Sequence, residues 1–146
     1  MESRELDFVI LTATALEQAD LRDSVGGLEH TVTAHRQMVF GQMYGKRIVL
    51  VEAGIGTTNT TQALTAILEG SYAGAVIQTG IGGAFASSGL KVGDIAVATE
   101  EILGEFGVID ESGWSGGKSI GIPLLDEPTQ VFNRIALDEY AGNRSA

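Results

Sequence analysis

The sequence predicts an α/β protein in which a mixed central sheet is flanked by helices. Short apolar runs rich in β-branched residues alternate with stretches of helical spacing, which is typical of buried parallel strands joined by helices. Two neighbouring runs are joined by a short turn, which indicates an inserted hairpin. The chain has 146 residues, 44% of them apolar, with 20 glycines and 2 prolines. That length suits one domain over residues 1–146 with a substantial core.

The first half contains four of the predicted elements. Leu6–Thr14 is a short apolar run after a charged start and predicts a buried strand. Apolar positions at helical spacing predict a helix over residues 15–25, which Gly26 and Gly27 end. Residues 30–54 predict two strands joined by a turn at 44–46, the second of them apolar enough to be central.

The second half predicts a helix, two strands, a loop and a last helix. The predicted helix covers residues 57–72, and strands follow over 73–80 and 93–107. Glycine, serine and aspartate then dominate residues 108–121, which predicts a long loop. Residues 124–146 predict one more helix. The resulting order is β-α-β-β-α-β-β, followed by a loop and a helix.

Composition narrows the classes of function. With 19 acidic and 9 basic residues the formal charge is −10, which disfavours nucleic acid and anionic membranes as partners. The absence of cysteine excludes disulfides and thiolate metal sites. His30 and His35 lack further ligands at suitable spacing, so no metal site is predicted. No secretory signal and no apolar run of about 18 residues is present, so a cytoplasmic location is expected.

Thr14 and Glu17 form the first candidate motif, where the first strand meets the first helix. The spacing Thr-x-x-Glu is typical of a capping box, in which each side chain binds the backbone N–H of the other residue. The functional alternative places the Glu17 carboxylate in the crevice at the carboxyl ends of the strands, where it can act as a general base. Both interpretations stay open at this point.

Two glycine motifs follow later strands and raise the possibility of dinucleotide binding. Gly54 and Gly56 begin a G-x-G-x-x-G pattern, but Asn59 stands at the third glycine position. The pattern that begins at Gly80 is interrupted by Phe85. An acidic residue about 20 positions after Gly80 keeps an NAD-binding domain as an alternative, although no helix is predicted directly after these glycines.

Three segments together resemble the nucleoside phosphorylase/nucleosidase superfamily. They are FVILTATALEQ, VEAGIGTTNTTQAL and VIQTGIGGAFASSGLKVGDIAVATEE, in which GLKVGDI is a superfamily mark. Within the superfamily these motifs, with IGIPLL at 120–125, look most like futalosine hydrolase of menaquinone biosynthesis. The resemblance covers residues 8–125 and implies a three-layer α/β/α fold, no cofactor, a purine nucleoside substrate and a homo-oligomer. The alternatives are a methylthioadenosine/S-adenosylhomocysteine nucleosidase and a noncatalytic nucleoside-binding or oligomerising module.

The resemblance assigns roles to residues at the first two strand ends. The glutamate at the first strand–helix junction of the nucleosidases activates the attacking water, and Glu17 matches it. Thr14 matches a position near the ribose and the water. Ile55, in the turn that ends at Gly56, matches the isoleucine that packs against the sugar and its 5′ substituent.

The resemblance also assigns later residues to the nucleoside. Ile81, Gly82 and Gly83 match the turn beside the base and ribose, although the methylthioadenosine enzymes have a serine at the position of Ile81. Val108 matches a region that reaches into the pocket of the neighbouring subunit in dimeric relatives. The loop that begins there is therefore expected to do the same.

Water is favoured over phosphate as the nucleophile. Phosphorylases of the superfamily clamp phosphate with two arginines, because a dianion needs cationic, bidentate donors. Here the first strand exit lacks an arginine in its turn, and Gln78 stands where the second arginine would be. In the relatives, a later aspartate protonates the purine and a later glutamate binds the ribose. This sequence ends before either residue could appear, so it is expected to lack the C-terminal third of its relatives. Little or no nucleosidase activity is therefore expected from these residues alone.

Overall fold

The computed structural model describes residues 4–137, which form two compact units. The first unit covers residues 4–85 and the second covers 86–137. Each unit has its own strands and its own hydrogen bonds. The sequence predicts a single domain over 1–146, of which residues 1–3 and 138–146 lie outside the described part.

The first unit is a five-stranded mixed sheet with two helices. Strands β1, β4 and β5 are parallel, whereas β2, β3 and β4 form an antiparallel meander, and the order across the sheet is β2-β3-β4-β1-β5. The mixed sheet flanked by helices confirms the predicted fold class. Its elements are β1 (Arg4–Thr12), α1 (Ala15–Asp23), β2 (Gly26–Thr33), β3 (Arg36–Met43), β4 (Lys46–Glu52), α2 (Thr57–Leu68) and β5 (Ser71–Gln78).

The core of this unit lies on both faces of the sheet, because neighbouring side chains of a strand point to opposite faces. On one face, Val49 and Val51 of β4 belong to a buried cluster with Ala63 and Ile67 of α2. On the other face, Leu50 belongs to a second cluster, against which Leu21 of α1 packs. The two helices therefore cover opposite faces, and the unit has three layers.

The segment predicted as one strand before residue 44 is in fact a hairpin. Ala34 and His35 both have positive φ angles, 49° and 62°, and form the two-residue turn between β2 and β3. Such a turn usually contains glycine, asparagine or aspartate, and neither residue here signals it. The predicted turn at residues 44–46 is confirmed, with Tyr44 and Gly45 at positive φ between β3 and β4.

The second unit contains short strands in two antiparallel pairs. Strand β6 pairs with β9, and β7 pairs with β8. A 3₁₀ turn at Ala86–Ser88 precedes them. The bounds are β6 (Glu100–Ile102), β7 (Gly107–Asp110), β8 (Gly113–Gly116), α3 (Gly117–Ile120) and β9 (Arg134–Ala136).

Three predictions for this unit are wrong. The strand predicted over 93–107 shrinks to β6, which pairs with β9, and its last residue, Gly107, instead begins β7. The predicted loop over 108–121 contains the β7–β8 hairpin and α3. The predicted last helix is replaced, within the described residues, by a bridge between Leu125 and Val131 and by β9. The rest of that predicted helix, 138–146, lies outside the described residues.

The side chain of Asn133 organises the second unit. Its amide donates to the carbonyls of Leu103 at 2.8 Å and Phe106 at 2.6 Å. Its carbonyl accepts from the backbone N–H of Gly117 at 2.7 Å, where α3 begins. One side chain thus satisfies three backbone groups from separate segments, which short strands leave without ladder partners.

Among residues 4–137, no helix is long and apolar enough to cross a membrane.

Candidate active site

Three strand ends of the first unit meet at one edge of its sheet. The parallel strands β1, β4 and β5 end at Thr12, Glu52 and Gln78. Backbone hydrogen bonds continue past these ends, from Gly54 N–H to the carbonyl of Ala13 at 3.0 Å and from Ala53 N–H to that of Thr12 at 2.8 Å. This edge is where open α/β sheets bind ligands.

A cavity of about 490 Å³ opens between this edge and one face of α2. The strand ends contribute its floor, and the threonines and leucines of α2 contribute its wall. A volume of several hundred Å³ is large enough for a small organic ligand. It is lined by Leu11, Thr12, Ala13, Ala53, Gly54, Gly56, Thr57, Thr60, Thr61, Leu64, Thr65, Leu68 and Gln78.

Thr14 and Glu17 form the predicted capping box. Thr14 is the N-cap of α1, and its hydroxyl accepts from the backbone N–H of Glu17 at 3.4 Å. In return, Glu17 Oε2 accepts from the backbone N–H of Thr14 at 3.0 Å and from that of Ala13 at 3.0 Å. The Thr14 hydroxyl lies 3.2 Å from the same oxygen. The capping interpretation is thereby confirmed.

The other carboxylate oxygen of Glu17 reaches the exit of β5. Oε1 accepts from the backbone N–H of Ile81 at 3.0 Å. This approach requires a glycine beside it, since a Cβ at Gly80 would lie 2.5 Å from Oε1. Glu17 therefore joins the first and third strand exits, which a capping box alone does not require.

The hydrogen bonds to Glu17 lower its pKa below the ordinary glutamate value. The Ile81 N–H has the largest effect, and desolvation, which raises the pKa, comes second. The Thr14 N–H, the Thr14 hydroxyl and the Ala13 N–H follow, and the net shift is downward. Glu17 is therefore ionised at neutral pH. A carboxylate oxygen has two acceptor positions, and Ile81 uses one on Oε1, so the other can accept a hydrogen bond from water.

The turn between β4 and α2 contains the predicted Ile55. Gly54 and Gly56 have φ angles of 86° and 90°, a region that favours glycine. The Ile55 side chain is 76% exposed, and its carbonyl accepts from the Asn59 amide at 2.7 Å. Asn59, which interrupts the dinucleotide pattern, thus holds the turn in place.

Arg36 fastens this turn from the side. Its Nε donates to Gln62 Oε1 at 2.6 Å, and its Nη2 donates to Asn59 Oδ1 at 2.6 Å. Its Nη1 lies 2.9 Å from the position that a Cβ at Gly54 would occupy. The start of β3 is in this way joined to the first turns of α2.

A buried amide supports the junction of β1 and α1. Gln18 is fully buried, and its Nε2 donates to the Thr12 hydroxyl at 3.2 Å. Its Oε1 accepts from Arg22 Nε at 2.8 Å. These bonds satisfy the amide and fix the start of α1, and with it the direction of Glu17.

The predicted site residues are brought together only in part. Thr14, Glu17 and Ile81 are in direct hydrogen-bond contact. Ile55 and Gly56 lie at the neighbouring exit, where Gly56 lines the cavity. Gly82 and Gly83 follow Ile81 in exposed chain with open space around them. Val108 lies in the second unit, on β7, and is 43% exposed.

The sequence matches the family described as the phosphorylase superfamily over residues 7–130. The chain belongs to the phosphorylase superfamily. This range contains all the predicted site residues. It also accounts for the parallel strands whose carboxyl ends form the site, and it disfavours the NAD-binding alternative.

Relatives of this superfamily chain include characterised nucleosidases. A 5′-methylthioadenosine/S-adenosylhomocysteine nucleosidase of Anoxybacillus flavithermus is 33% identical over 118 residues, which are 81% of this chain and 50% of the relative. One from Geobacillus sp. is 29% identical over 131 residues, which are 90% of this chain and 56% of the relative. The chain thus spans about half the length of these curated relatives.

Solved structures of the same kind of protein share the fold. The nucleosidase of Neisseria meningitidis, in complex with methylthio-immucillin-A, has a TM-score of 0.64 at 27% identity, covering 90% of this chain and 52% of its own. That of Colwellia psychrerythraea, in complex with adenine, has a TM-score of 0.63 at 25% identity, covering 93% and 52%.

Sequence reasoning missed the supporting residues of this superfamily site. Arg36 had no motif, because its role depends on a turn at Ala34 and His35 that the sequence does not signal. Gln18 resembles any polar residue of an amphipathic helix. Gly80 was read as part of a glycine pattern, whereas its position directly before Ile81 was the available signal for a close approach.

Proposed function

We propose that this site serves the hydrolysis of the N-glycosidic bond of a purine nucleoside, with Glu17 activating the water. The observation that supports this proposal is the Glu17 carboxylate, which is ionised, held by Thr14 and Ile81, and left with an open acceptor position on Oε1. A glutamate that only caps α1 needs the contact with Thr14, but neither the contact with Ile81 nor an open acceptor position.

Glu17 would act in two ways. Its open acceptor position orients one water molecule, and its negative charge favours the positive charge that develops on the sugar as the glycosidic bond lengthens. With a lowered pKa it is a weak base toward neutral water. It takes the proton only as the water oxygen bonds to the anomeric carbon and the water becomes acidic.

The charges around the cavity favour water over phosphate. No arginine, lysine or histidine is among its lining residues in the described part of the chain, and Gln78 lines it where a phosphate-binding arginine is expected in the phosphorylases. A phosphate dianion near Glu17 would meet a second negative charge, and none of the lining residues among those described is a cation that could offset it. Hydrolysis therefore fits these residues better than phosphorolysis.

The relatives favour 5′-methylthioadenosine or S-adenosylhomocysteine as the substrate over futalosine. Both the curated relatives and the solved structures are nucleosidases named for those two compounds. The predicted futalosine hydrolase activity is the second choice. The released base separates them, since the thioadenosine compounds yield adenine and futalosine yields hypoxanthine.

The test combines purine release with ligand binding. Chromatography would follow release from methylthioadenosine, S-adenosylhomocysteine and futalosine, and calorimetry would follow binding of methylthioadenosine and methylthio-immucillin-A. The immucillin is a transition-state inhibitor of a related nucleosidase. We expect Glu17→Gln to lower any turnover by about a hundredfold or more. It should also weaken the inhibitor more than methylthioadenosine, because catalysis requires stronger binding of the transition state.

Two results would contradict the proposal. Equal loss of affinity for both ligands in Glu17→Gln would show that Glu17 only shapes the pocket. Binding of nucleosides without any preference for the inhibitor, and without purine release, would identify a noncatalytic nucleoside-binding module. Glu105→Gln in the second unit is the matched control and should change neither measurement.

A further inference from the structure

Arg36 carries a positive charge that no carboxylate neutralises among residues 4–137. Three other arginines, Arg4, Arg47 and Arg134, form salt bridges with glutamates. Arg36 instead binds the neutral side chains of Gln62 and Asn59. Arg22 likewise has a neutral partner, Gln18. In a chain of net charge −10, a half-buried cation with only neutral partners attracts anions locally.

The Arg36 guanidinium also has donors to spare. It has five N–H groups in a planar fork. Nε and Nη2 each use one on an amide oxygen, and the remaining three, including both on Nη1, find no acceptor in the described part of the chain. The two amide contacts fix the plane of the fork, so little further ordering is needed for it to bind an oxyanion.

The free end of this guanidinium lies at the rim of the candidate active site. Nη1 is next to Gly54, which lines the cavity and has no side chain to cover it. Asn59, which accepts from Arg36, also holds the carbonyl of Ile55. Ile55 is the residue that the family resemblance places against the sugar and its 5′ substituent. Arg36 is therefore joined, through Asn59, to the turn that is expected to contact that substituent.

We propose that Arg36 binds an acidic group on the 5′ substituent of the nucleoside, most simply a carboxylate. This inference rests on the proposed function and adds the residue that selects the substituent. The same fork could bind inorganic phosphate, since phosphate and carboxylate each present two oxygens that can accept parallel N–H bonds from a guanidinium. We favour the carboxylate because Arg36 lies beside the turn that follows β4. A phosphate nucleophile would instead have to approach the anomeric carbon beside Glu17, which lies at the end of β1.

The experiment compares two ligands that differ only in charge. Adenosine with a 5′-(3-carboxypropyl)thio group and its neutral carboxamide would be titrated into the chain by calorimetry. We expect Arg36→Met to weaken the acid about tenfold and to change the amide by no more than about twofold, the scale of one charge-assisted contact. Arg36→Lys keeps the charge without the fork and should retain part of the preference for the acid.

Arg47→Met is the matched control, since Arg47 is a salt-bridged arginine at the start of β4. It removes the same charge from the same unit and should leave both affinities unchanged. If Arg36→Met weakens acid and amide equally, Arg36 only supports the turn at Ile55, and the inference is overturned. If Arg36→Met does not fold, Arg36→Lys tests the same point, and equal weakening of acid and amide in that variant would overturn the inference.

The remaining outcomes separate the inference from the proposed function. Binding of both ligands with no effect of Arg36 would overturn the inference alone. Failure of both ligands to bind would overturn the proposed function and the inference with it. Phosphate that competes with the acid, loses affinity in Arg36→Met and is required for purine release would assign Arg36 to phosphate and overturn the carboxylate.

Discussion

Glu17 performs a structural and a chemical task with different oxygens. Oε2 accepts from the backbone N–H groups of Thr14, the N-cap of α1, and of Ala13 before it, and the first of these bonds is that of a capping box. Oε1 accepts from the Ile81 N–H and retains a second acceptor position. The two interpretations of Thr14-x-x-Glu17 are therefore compatible, because a carboxylate has about four acceptor positions and a cap needs no more than two.

Gly80→Ala tests the close approach on which the Glu17–Ile81 contact depends. The added methyl would lie 2.5 Å from Oε1 and would displace the carboxylate. We expect a loss of about 1 kcal/mol in the free energy of unfolding, the cost of modest overpacking, and loss of exchange protection at the Ile81 amide. Gly82→Ala and Gly83→Ala are controls, since a Cβ at either meets nothing within 4 Å. Equal effects at all three glycines would contradict the role of Gly80.

The lowered pKa of Glu17 predicts how stability depends on pH. A carboxylate whose pKa is lower in the folded state stabilises the fold above its unfolded value of 4.5, and this stabilisation is lost as the pH falls through the folded pKa. The difference in unfolding free energy between the wild type and Glu17→Gln should be constant near neutrality and shrink below pH 4.5. Urea unfolding at several pH values measures it. A difference that grows on acidification would contradict the stated contacts.

At the scale of elements, the two helices of the first unit begin in different ways. Helix α1 starts with the capping box of Thr14, whereas α2 starts at Gly56, which no side chain of the described residues caps. Helix α2 is instead held by Arg36 of β3, which donates to Asn59 in its first turn, and by the bond from Asn59 to the carbonyl of Ile55.

Thr14→Ala should destabilise α1 and disorder Glu17 together. The hydroxyl caps the helix and also contacts the carboxylate, so we expect a cost of about 1 kcal/mol, typical of a lost N-cap. Thr14→Ser keeps the hydroxyl and should retain most of the stability. Thermal unfolding compares the variants, and equal loss in both would show that the methyl group, rather than the cap, matters.

Asn133→Ala should selectively destabilise the second unit. It removes three hydrogen bonds to backbone groups of Leu103, Phe106 and Gly117, so a loss of about 1–3 kcal/mol is expected. Hydrogen exchange should show faster exchange in residues 86–137 while the strands of the first unit are unchanged. Gln130→Ala removes an exposed amide that binds only Asp126 and serves as the control. Unchanged exchange around Gly117 would contradict the role of Asn133.

At the scale of the whole molecule, the second unit exposes several large apolar side chains. Val92, Ile95 and Val97 are more than four-fifths exposed. Contiguous exposed apolar residues favour association, so they are consistent with the predicted homo-oligomer, which stays a prediction. The cytoplasmic location likewise stays a prediction.

Ile95→Ser with Val97→Thr should reduce self-association without lowering the melting temperature. Exposed side chains contribute little burial to the fold, whereas they contribute to any contact between copies. Light scattering after gel filtration, over a range of concentrations, measures the mass. Ile10→Ser is the contrast, since that side chain is buried in the sheet and its loss should unfold the chain. A lower melting temperature in the double variant would show that these residues are buried in solution.

The sequence by itself determined the class of fold, the first unit's alternation of strands and helices, and the capping box. Each depends on neighbours in sequence: apolar periodicity, or a hydroxyl and a carboxylate three residues apart. The tertiary structure alone decided that Glu17 meets Ile81, that Gly80 must lack a side chain and that Arg36 reaches the turn at Ile55. These contacts join residues more than 15 positions apart, and only the parallel register of β1, β4 and β5, with the hairpin before β4, brings them to one edge.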